Sequence, residues 1–495
     1  MARITVDLDR QLGRVDRRIF GGFIEHLGRC IYGGIFDEGS PLADERGFRT
    51  DVLDALRPLQ MPLLRWPGGN FVSGYHWIDG VGPRDDRPRK SELAWLAEES
   101  NRFGTDEFIE YCRVLDTDPY ICINMGTGTI DEAQAWVEYC NGTGNTYWAN
   151  LRRKNGHDEP FNVRYWGLGN ELYGGWQLGA STADDYVKKG REFAKVMKLT
   201  DPSIELISCG QNGWSDWDRA VIEGLAPIVD YHSIHIYTGS AEYYRNVFQP
   251  HQAERAIRIC AAMIEQARYN QRISRPIGIA YDEWNVWYRT RSAADRQGGI
   301  EEQYDLSDAL AIATYLNIFI RECKNVPIAN LAQMVNAIAP VFTNPDGLFL
   351  QTIYHPLRLY AEHSQAIALD PAVICETYAL ESDITGGGRE HRIADLGPFK
   401  LLDVSVTRDE DGKTLTLGIV NRHRDDAVTT TIEIGGGTPI ASAVAYEVNG
   451  ADPAVLNSFD HPDAVTVQER QLTSQGGSVE VTLEAHSVTV MRLQL

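Results

Sequence analysis

From about residue 18 to residue 365, short apolar or β-branched runs alternate with longer amphipathic segments. That alternation predicts strands each followed by a helix lying on the sheet they form. The runs centre on residues 20–24, 63–66, 120–124, 163–168, 205–208, 231–236, 277–281 and 329–333, and eight such units make a (β/α)8 barrel. Between them the period turns helical. Within 252–271, Ala256, Ile259, Cys260, Met263 and Ala267 recur at three- and four-residue steps, with charged residues between them.

After residue 376 the period changes to two. Leu415, Leu417 and Ile419, then Val479, Val481 and Leu483, alternate with other residues, and glycine-rich breaks fall at 386–388, 435–437 and 476–477. The Asp411-Gly412 step is a hairpin signal. This second texture predicts an all-β sandwich of the jelly-roll kind. Ile4, Val6 and Leu8 alternate in the same way ahead of the first barrel unit. Chain termini often lie close together, so this first strand is expected to join the C-terminal sheet. The expected fold class is therefore α/β, a TIM barrel over 18–375 with a C-terminal all-β sandwich over 376–495, to which residues 1–17 contribute. The polar segment 289–303, with Gly298-Gly299, follows the seventh strand and is a candidate mobile loop over the cleft.

Composition narrows the partners. With 43% hydrophobic and 23% charged residues the chain has globular values, and no apolar run approaches the roughly 20 residues of a membrane span. A net charge of −22 repels phosphate backbones and anionic membrane surfaces, and the most basic stretch, 84–90, is diluted by two aspartates. Neither nucleic acid nor membrane is expected as a partner, and a neutral substrate suits the surface better than a polyuronate. The eight cysteines contain no C-x-x-C pair and no Cys/His cluster, so no metal is expected. No cofactor is expected either: Gly126-Thr127-Gly128-Thr129 lacks a nucleotide-binding register, and no G-x-S-x-G elbow is present. The first residues lack an apolar signal region, which favours a cytoplasmic enzyme with free thiols.

In such a barrel the active site lies where the strands end, so polar residues there carry the chemistry. They are Glu25-His26, Pro67-Gly68-Gly69-Asn70, Asn124, Asn170-Glu171, His235 with Tyr237, Glu283 with Trp284 and Asn285, and Gln333 with Asn336. Singly, each reads as readily as a helix cap or solvated loop residue. Jointly, at nearly every strand end, they describe a site. Glu171 and Glu283, on the fourth and seventh units, are the pair of carboxylates that cleavage of a glycosidic bond requires, one as proton donor and one as nucleophile or base. Asp282 precedes Glu283, and strand alternation lets only one of the two face the barrel mouth; Glu283 is expected to be that one. Gly68 and Gly69 are read as permitting positive φ, so that the turn presents Asn70 to a sugar hydroxyl. His235 and Tyr237, two apart, share a side and are candidates for substrate contact, a core histidine bonded to backbone being the alternative. Trp95, Trp284 and Trp287 lie in polar contexts and are candidate stacking platforms.

Taken together, the stretches at 21–41 (GGFIEHLGRCIYGGIFDEGSP), 64–83 (LRWPGGNFVSGYHWIDGVGP), 103–108 (FGTDEF), 165–179 (YWGLGNELYGGWQLG), 235–239 (HIYTG), 281–288 (YDEWNVWY) and 331–340 (LAQMVNAIAP) resemble the family 51 glycoside hydrolases, the α-L-arabinofuranosidases. The resemblance spans nearly the whole barrel in order. It implies that Glu171 is the general acid/base and Glu283 the nucleophile of a retaining double displacement, which requires Glu171 to hold its proton at rest. It also implies that Glu25, Asn70, Asn170, Tyr237 and Gln333 hold the furanose ring, that Trp95 and Trp287 face the leaving group, and that arabinofuranosyl-bearing oligosaccharides are the substrate of a homo-oligomer, in many members a hexamer. The competing readings are another retaining glycosidase on the same barrel, a β-xylosidase or endoglucanase, and a sugar-binding protein with a vestigial site. Relative rates on aryl arabinofuranoside, xyloside and glucoside separate the first. Tight sugar binding without turnover would mark the second.

Overall fold

The computed structural model describes residues 2–288, 300–383 and 392–495. Eight parallel strands close into a barrel: β1 (Gly21–Phe23), β2 (Leu63–Trp66), β3 (Asp118–Cys122), β4 (Tyr165–Leu168), β5 (Glu205–Ser208), β6 (Tyr231–Thr238), β7 (Gly278–Val286) and β8 (Ile328–Ala332). Each falls on one of the predicted runs. At their C-terminal ends β6 extends two residues further and β7 five, and these extensions carry Tyr237 and Glu283.

The barrel interior is filled in layers. Its floor packs Leu63, Tyr120, Tyr165, Ile207, Tyr231, Ala280 and Ile328 together, and Arg18 donates to the hydroxyls of Tyr165 (2.8 Å) and Tyr231 (3.1 Å). Outside, helix His251–Gln271 buries Ala253, Ala256, Ile257, Cys260, Ile264 and Ala267, a stripe at steps of one, three and four. Ile259, read from sequence as part of that stripe, is instead 39% exposed. The helix's true axis of burial runs through Ile257 and Ile264, one side of the positions chosen.

Beyond residue 365 the described residues build two large sheets and a two-stranded ribbon of Thr377–Tyr378 with Phe399–Lys400. Ala2–Val6 pairs in parallel with Val428–Ile434, which pairs antiparallel with Ser478–Leu483. The larger sheet runs through Leu402–Arg408, Thr414–Asn421 and Ser487–Gln494, with Gly412 at φ +70° in the turn of the first hairpin. Ile367–Leu369 and Ala372–Ile374 also belong to these sheets, ahead of the division expected at residue 376. Ile4, Val6, Leu417, Ile419, Val481 and Leu483 form a core of their own between the sheets.

Thr414–Asn421 is buried on both faces. Leu415, Leu417 and Ile419 face that core, while on the other side a Cβ on Gly418 would meet the Tyr360 hydroxyl at 2.4 Å. Its other face therefore packs on barrel helices. Helix Leu306–Arg321 is apolar almost all round because it lies between the barrel and this sheet, in contact with β7 and with all three strands of the larger sheet just named. A capping box of Asp305 and Asp308 starts it. Asn317 and Arg321 on this helix both donate to Asp403 of the sheet, at 2.8 and 3.0 Å.

Candidate active site

A cavity of about 1130 Å³ opens at the C-terminal ends of the barrel strands. Glu25, Asn70, Trp95, Glu171, Tyr237, Glu283, Trp287 and Gln333 line it. Asn170 and His235 lie just beneath its wall.

Glu25 follows β1 and is 3% exposed. Its carboxyl accepts from the Phe71 amide, Trp95 Nε1 and Gln333 Nε2, each at 3.0 Å. Burial pushes Glu25 up to about 8, with the Glu283 charge adding to the rise and the Phe71 and Trp95 donors opposing it. The glycines after β2 exist for this group. A Cβ on Gly69 would lie 2.4 Å from Glu25 Oε2, and one on Gly68 2.9 Å from its Cγ. Neither glycine has positive φ: Gly69 sits at φ −23°. Close approach, not left-handed backbone, is what they permit. Asn70, next in the chain, accepts from Gln177 Nε2, and Gln177 in turn accepts from Ser73 Oγ at 2.9 Å.

Glu171 does not sit on its strand. β4 ends at Leu168, and the chain turns through Gly169 (φ +77°) to place Glu171 itself at φ +46°. A non-glycine residue held there is costly, roughly 1–3 kcal/mol, and such costs concentrate at functional sites. The turn aims the carboxyl inward. Oε1 accepts from Tyr173 (3.1 Å) and faces His235 Nδ1 (3.0 Å), while Oε2 accepts from Trp176 Nε1 at 3.2 Å.

Glu283 and Asp282 overturn the alternation argument. β7 spends three steps, Ala280 to Glu283, where β6 spends two, Ser233 to His235, and it slips against β8 at the same place. This β-bulge turns both acids toward the barrel interior. Glu283 accepts from Arg65 (2.6 Å) and Tyr237 (2.8 Å) at the cavity floor. Asp282 lies below it, taking Tyr120 at 2.6 Å and Ser233, with His235 Nε2 at 3.2 Å. Burial alone would raise Asp282, but Arg65, His235 and Ser233 hold its carboxyl well below the ordinary range. Burial likewise pushes His235 down, but Glu283, Asp282 and Glu171 carry it up to about 10. Both ring nitrogens face carboxylate oxygens, and only the imidazolium donates to both. His235 was expected to touch substrate; it is committed instead to orienting the two glutamates from below.

Arg65 is the functional residue that sequence reading passed over. Its guanidinium, 1% exposed, donates to Glu283 Oε1, to the Asp282 carbonyl at 3.2 Å and to Asn170 Oδ1 at 2.6 Å, and stacks 4.3 Å from the Phe23 ring centre. The available signal was an arginine inside the otherwise apolar strand Leu63–Trp66. Removing it would leave two buried carboxylates, Asp282 and Glu283, with His235 as their one cationic neighbour among the described residues. Arg65→Met is expected to lower stability by about 3–5 kcal/mol, measured by urea unfolding, and to lose activity with it; an unaltered midpoint would contradict the pairing.

Several expected residues serve the frame instead. Trp284 is 1% exposed and packs on Tyr315 and Phe319, so it is core and not a platform. Asn285 donates to the Ala332 and Ile338 carbonyls, Asn336 to the Arg29 carbonyl and Asn124 to that of Tyr75. Trp95 and Trp287 do line the cavity: Trp95 Nε1 donates to Glu25, and Trp287 lies edge-on to Tyr237 at 5.1 Å. Of the loop expected to move, residues 289–299 fall outside the described residues.

One carboxylate oxygen of Glu171, one of Glu283 and a ring nitrogen of His235 all lie within 4.8 Å of one another. Two carboxyl groups so close suit direct attack on an anomeric carbon, for which about 5–5.5 Å is required; admitting a water between them takes roughly 6.5–9.5 Å. Two family models match the chain, the α-L-arabinofuranosidase 1 domain over residues 55–255 and the α-L-arabinofuranosidase C-terminal domain over 282–487. The chain is also 44% identical to α-L-arabinofuranosidase C of Emericella nidulans over 504 residues, covering 99% of this chain and 97% of the other. This chain belongs to the family 51 α-L-arabinofuranosidases. As a member it is a retaining glycoside hydrolase that releases terminal α-L-arabinofuranosyl residues. A Bacillus subtilis relative, an intracellular exo-α-(1→5)-L-arabinofuranosidase, is 37% identical over 88% of this chain and 87% of its own. The α-L-arabinofuranosidase of Thermotoga maritima, solved with arabinose, superposes with a TM-score of 0.89 at 42% identity over the whole of both chains. The family 51 enzyme of Thermotoga petrophila does so with 0.91 at 42%.

Proposed function

We propose that Glu283 is the nucleophile and Glu171 the general acid/base of this arabinofuranosidase. The approach of one carboxyl oxygen of each to within 4.8 Å of the other's carries the reading. The division of roles follows from their partners. Glu283 accepts from a buried guanidinium and from Tyr237, both of which favour an anion aimed at the cavity. On Glu171, Oε1 is occupied from within by Tyr173 and His235, so a proton on that carboxyl belongs on Oε2, toward the cavity mouth.

In the first step Glu283 attacks the anomeric carbon and Glu171 gives its proton to the departing glycosidic oxygen. In the second, Glu171 takes a proton from water as the water oxygen bonds the anomeric carbon and Glu283 leaves as the carboxylate. Tyr237 is kept protonated by burial and by the Glu283 charge, so its hydroxyl goes on donating to the nucleophile. Glu25, Asn70, Asn170, Tyr237 and Gln333 hold the furanose. In support, Asn170 Nδ2 is buried without a protein partner among the described residues, a donor available to a sugar hydroxyl.

The linkage preference and setting follow the relatives more than the geometry. Exo action on α-(1→5)-linked arabinan fragments and a cytoplasmic location are supported by the B. subtilis relative's name, and the latter also by eight free cysteines, seven of them buried. A homo-oligomer, hexameric as in many family members, is the matching assembly, for which light scattering gives the mass. Following arabinobiose hydrolysis by proton NMR is expected to show the α-anomer first. Activity on aryl arabinofuranoside is expected to exceed that on aryl xyloside or glucoside by at least about 100-fold, since sites that hydrogen-bond a substrate's hydroxyls reject analogues lacking the match. A first-formed β-anomer, or comparable rates on xyloside, would overturn the reading.

A further inference from the structure

Asn70 lines the cavity, but one of its two polar atoms is already engaged behind the wall. Its Oδ1 accepts from Gln177 Nε2, and Gln177 Oε1 accepts from Ser73 Oγ at 2.9 Å. Gln177 and Ser73 are both buried and neither lines the cavity. Asn70 and Ser73 belong to the short turn Asn70–Gly74 after β2, whereas Gln177 comes from the loop after β4. A third loop, after β3, locks the two together. A Cβ on Gly126 would lie 2.3 Å from the Ser73 carbonyl oxygen and 2.6 Å from that of Leu178. Thr127 donates to the same Ser73 carbonyl through its amide (3.0 Å) and its hydroxyl (3.2 Å). Gly179, at φ +74°, approaches just as closely, since its Cβ would meet Gly126 Cα at 2.6 Å. Three loops thus press together at backbone distance, and Gln177 is fixed between them.

The consequence lies in the polarity of Asn70. An asparagine side chain donates at one end and accepts at the other, and turning the amide over exchanges them. With Oδ1 bonded to Gln177, the end left for the cavity is Nδ2, a donor to a sugar oxygen. Were the amide turned over, Nδ2 would face Gln177 Nε2, two donors with no acceptor between them, a costly arrangement in a buried place. Ser73 supports that sense by donating to Gln177 Oε1, which satisfies the acceptor of Gln177 while its amide nitrogen faces Asn70. We propose that Gln177, backed by Ser73, is a positioning residue that holds Asn70 with its donor end toward the furanose. This rests on Asn70 being one of the residues that hold the ring.

The test is a double-mutant cycle between positions 177 and 70, read as kcat/KM on an aryl arabinofuranoside. Gln177→Met keeps the length of the side chain but loses the donor, and is expected to lower kcat/KM by about tenfold, chiefly through KM. Gln177→Glu keeps the shape but at neutral pH offers only acceptors. Asn70 is then expected to turn its amide nitrogen inward and present Oδ1 to the sugar, so the loss exceeds that of the methionine variant. In an Asn70→Ala background neither substitution is expected to change kcat/KM by more than about twofold, because the group they position is gone. Losses of equal size in both backgrounds would show that Gln177 merely packs the loop, and a glutamate variant as active as wild type would equally end the positioning role. Asn70→Ala alone reports on the reading beneath: an unchanged KM would remove Asn70 from the furanose, whereas a raised KM there with none at Gln177 would sink the positioning role by itself.

Discussion

Glu283→Ala is expected to abolish turnover, with kcat/KM on an aryl arabinofuranoside falling by at least about 10⁴-fold, the scale on which loss of a covalent nucleophile acts. Among the described residues no other carboxylate is placed to replace it. Asp282 is buried below and bound by Tyr120, Ser233 and His235, and the Tyr237 hydroxyl loses the carboxylate it serves. Azide added to the variant can occupy the space left by the carboxylate and attack from the same face. One displacement then replaces two, and the product is the β-L-arabinofuranosyl azide, inverted relative to substrate. Recovery of an α-azide, or full activity without azide, would remove Glu283 from its role.

Glu171→Ala is expected to behave differently according to the leaving group. A 2,4-dinitrophenolate departs with little protonation, so formation of the glycosyl-enzyme is largely spared and hydrolysis of the ester becomes limiting. With a sugar alkoxide, loss of the acid costs roughly 10²–10⁴-fold in the first step. Azide needs no base. It should accelerate turnover of the dinitrophenyl substrate and give the α-azide, with configuration retained. The two variants are thus distinguished by opposite anomers of one product, read in a single NMR spectrum. Uniform loss across leaving groups with no response to azide would count against Glu171 as acid/base.

The barrel was legible because its strands are short, apolar and evenly spaced, and the candidate glutamates because each closes such a run. Less was legible where local pattern and tertiary contact disagree. Alternation placed Asp282 and Glu283 on opposite sides, but a bulge against β6 and β8 turned both inward. Gly68 and Gly69 announced a turn, yet their reason is the Glu25 carboxyl, more than 40 residues away in the chain, which leaves no room for a Cβ. Trp284 and Asn285 sit in a polar stretch and still belong to the frame, since helix Leu306–Arg321 and the loop after β8 close over them.

Periodicity and residue type by themselves determined the eight-strand barrel, the change to β-sheet after it, and a pair of glutamates on the fourth and seventh units. These follow from local propensity and from the rule that a barrel's chemistry lies at its strand ends. Only the tertiary structure decided which groups hold each glutamate: Arg65 and Tyr237 on Glu283, His235, Tyr173 and Trp176 on Glu171. Charges separated by a hundred residues act on one another only when folding brings them within a few ångströms in a medium that screens them poorly. That proximity has no local signature in the chain.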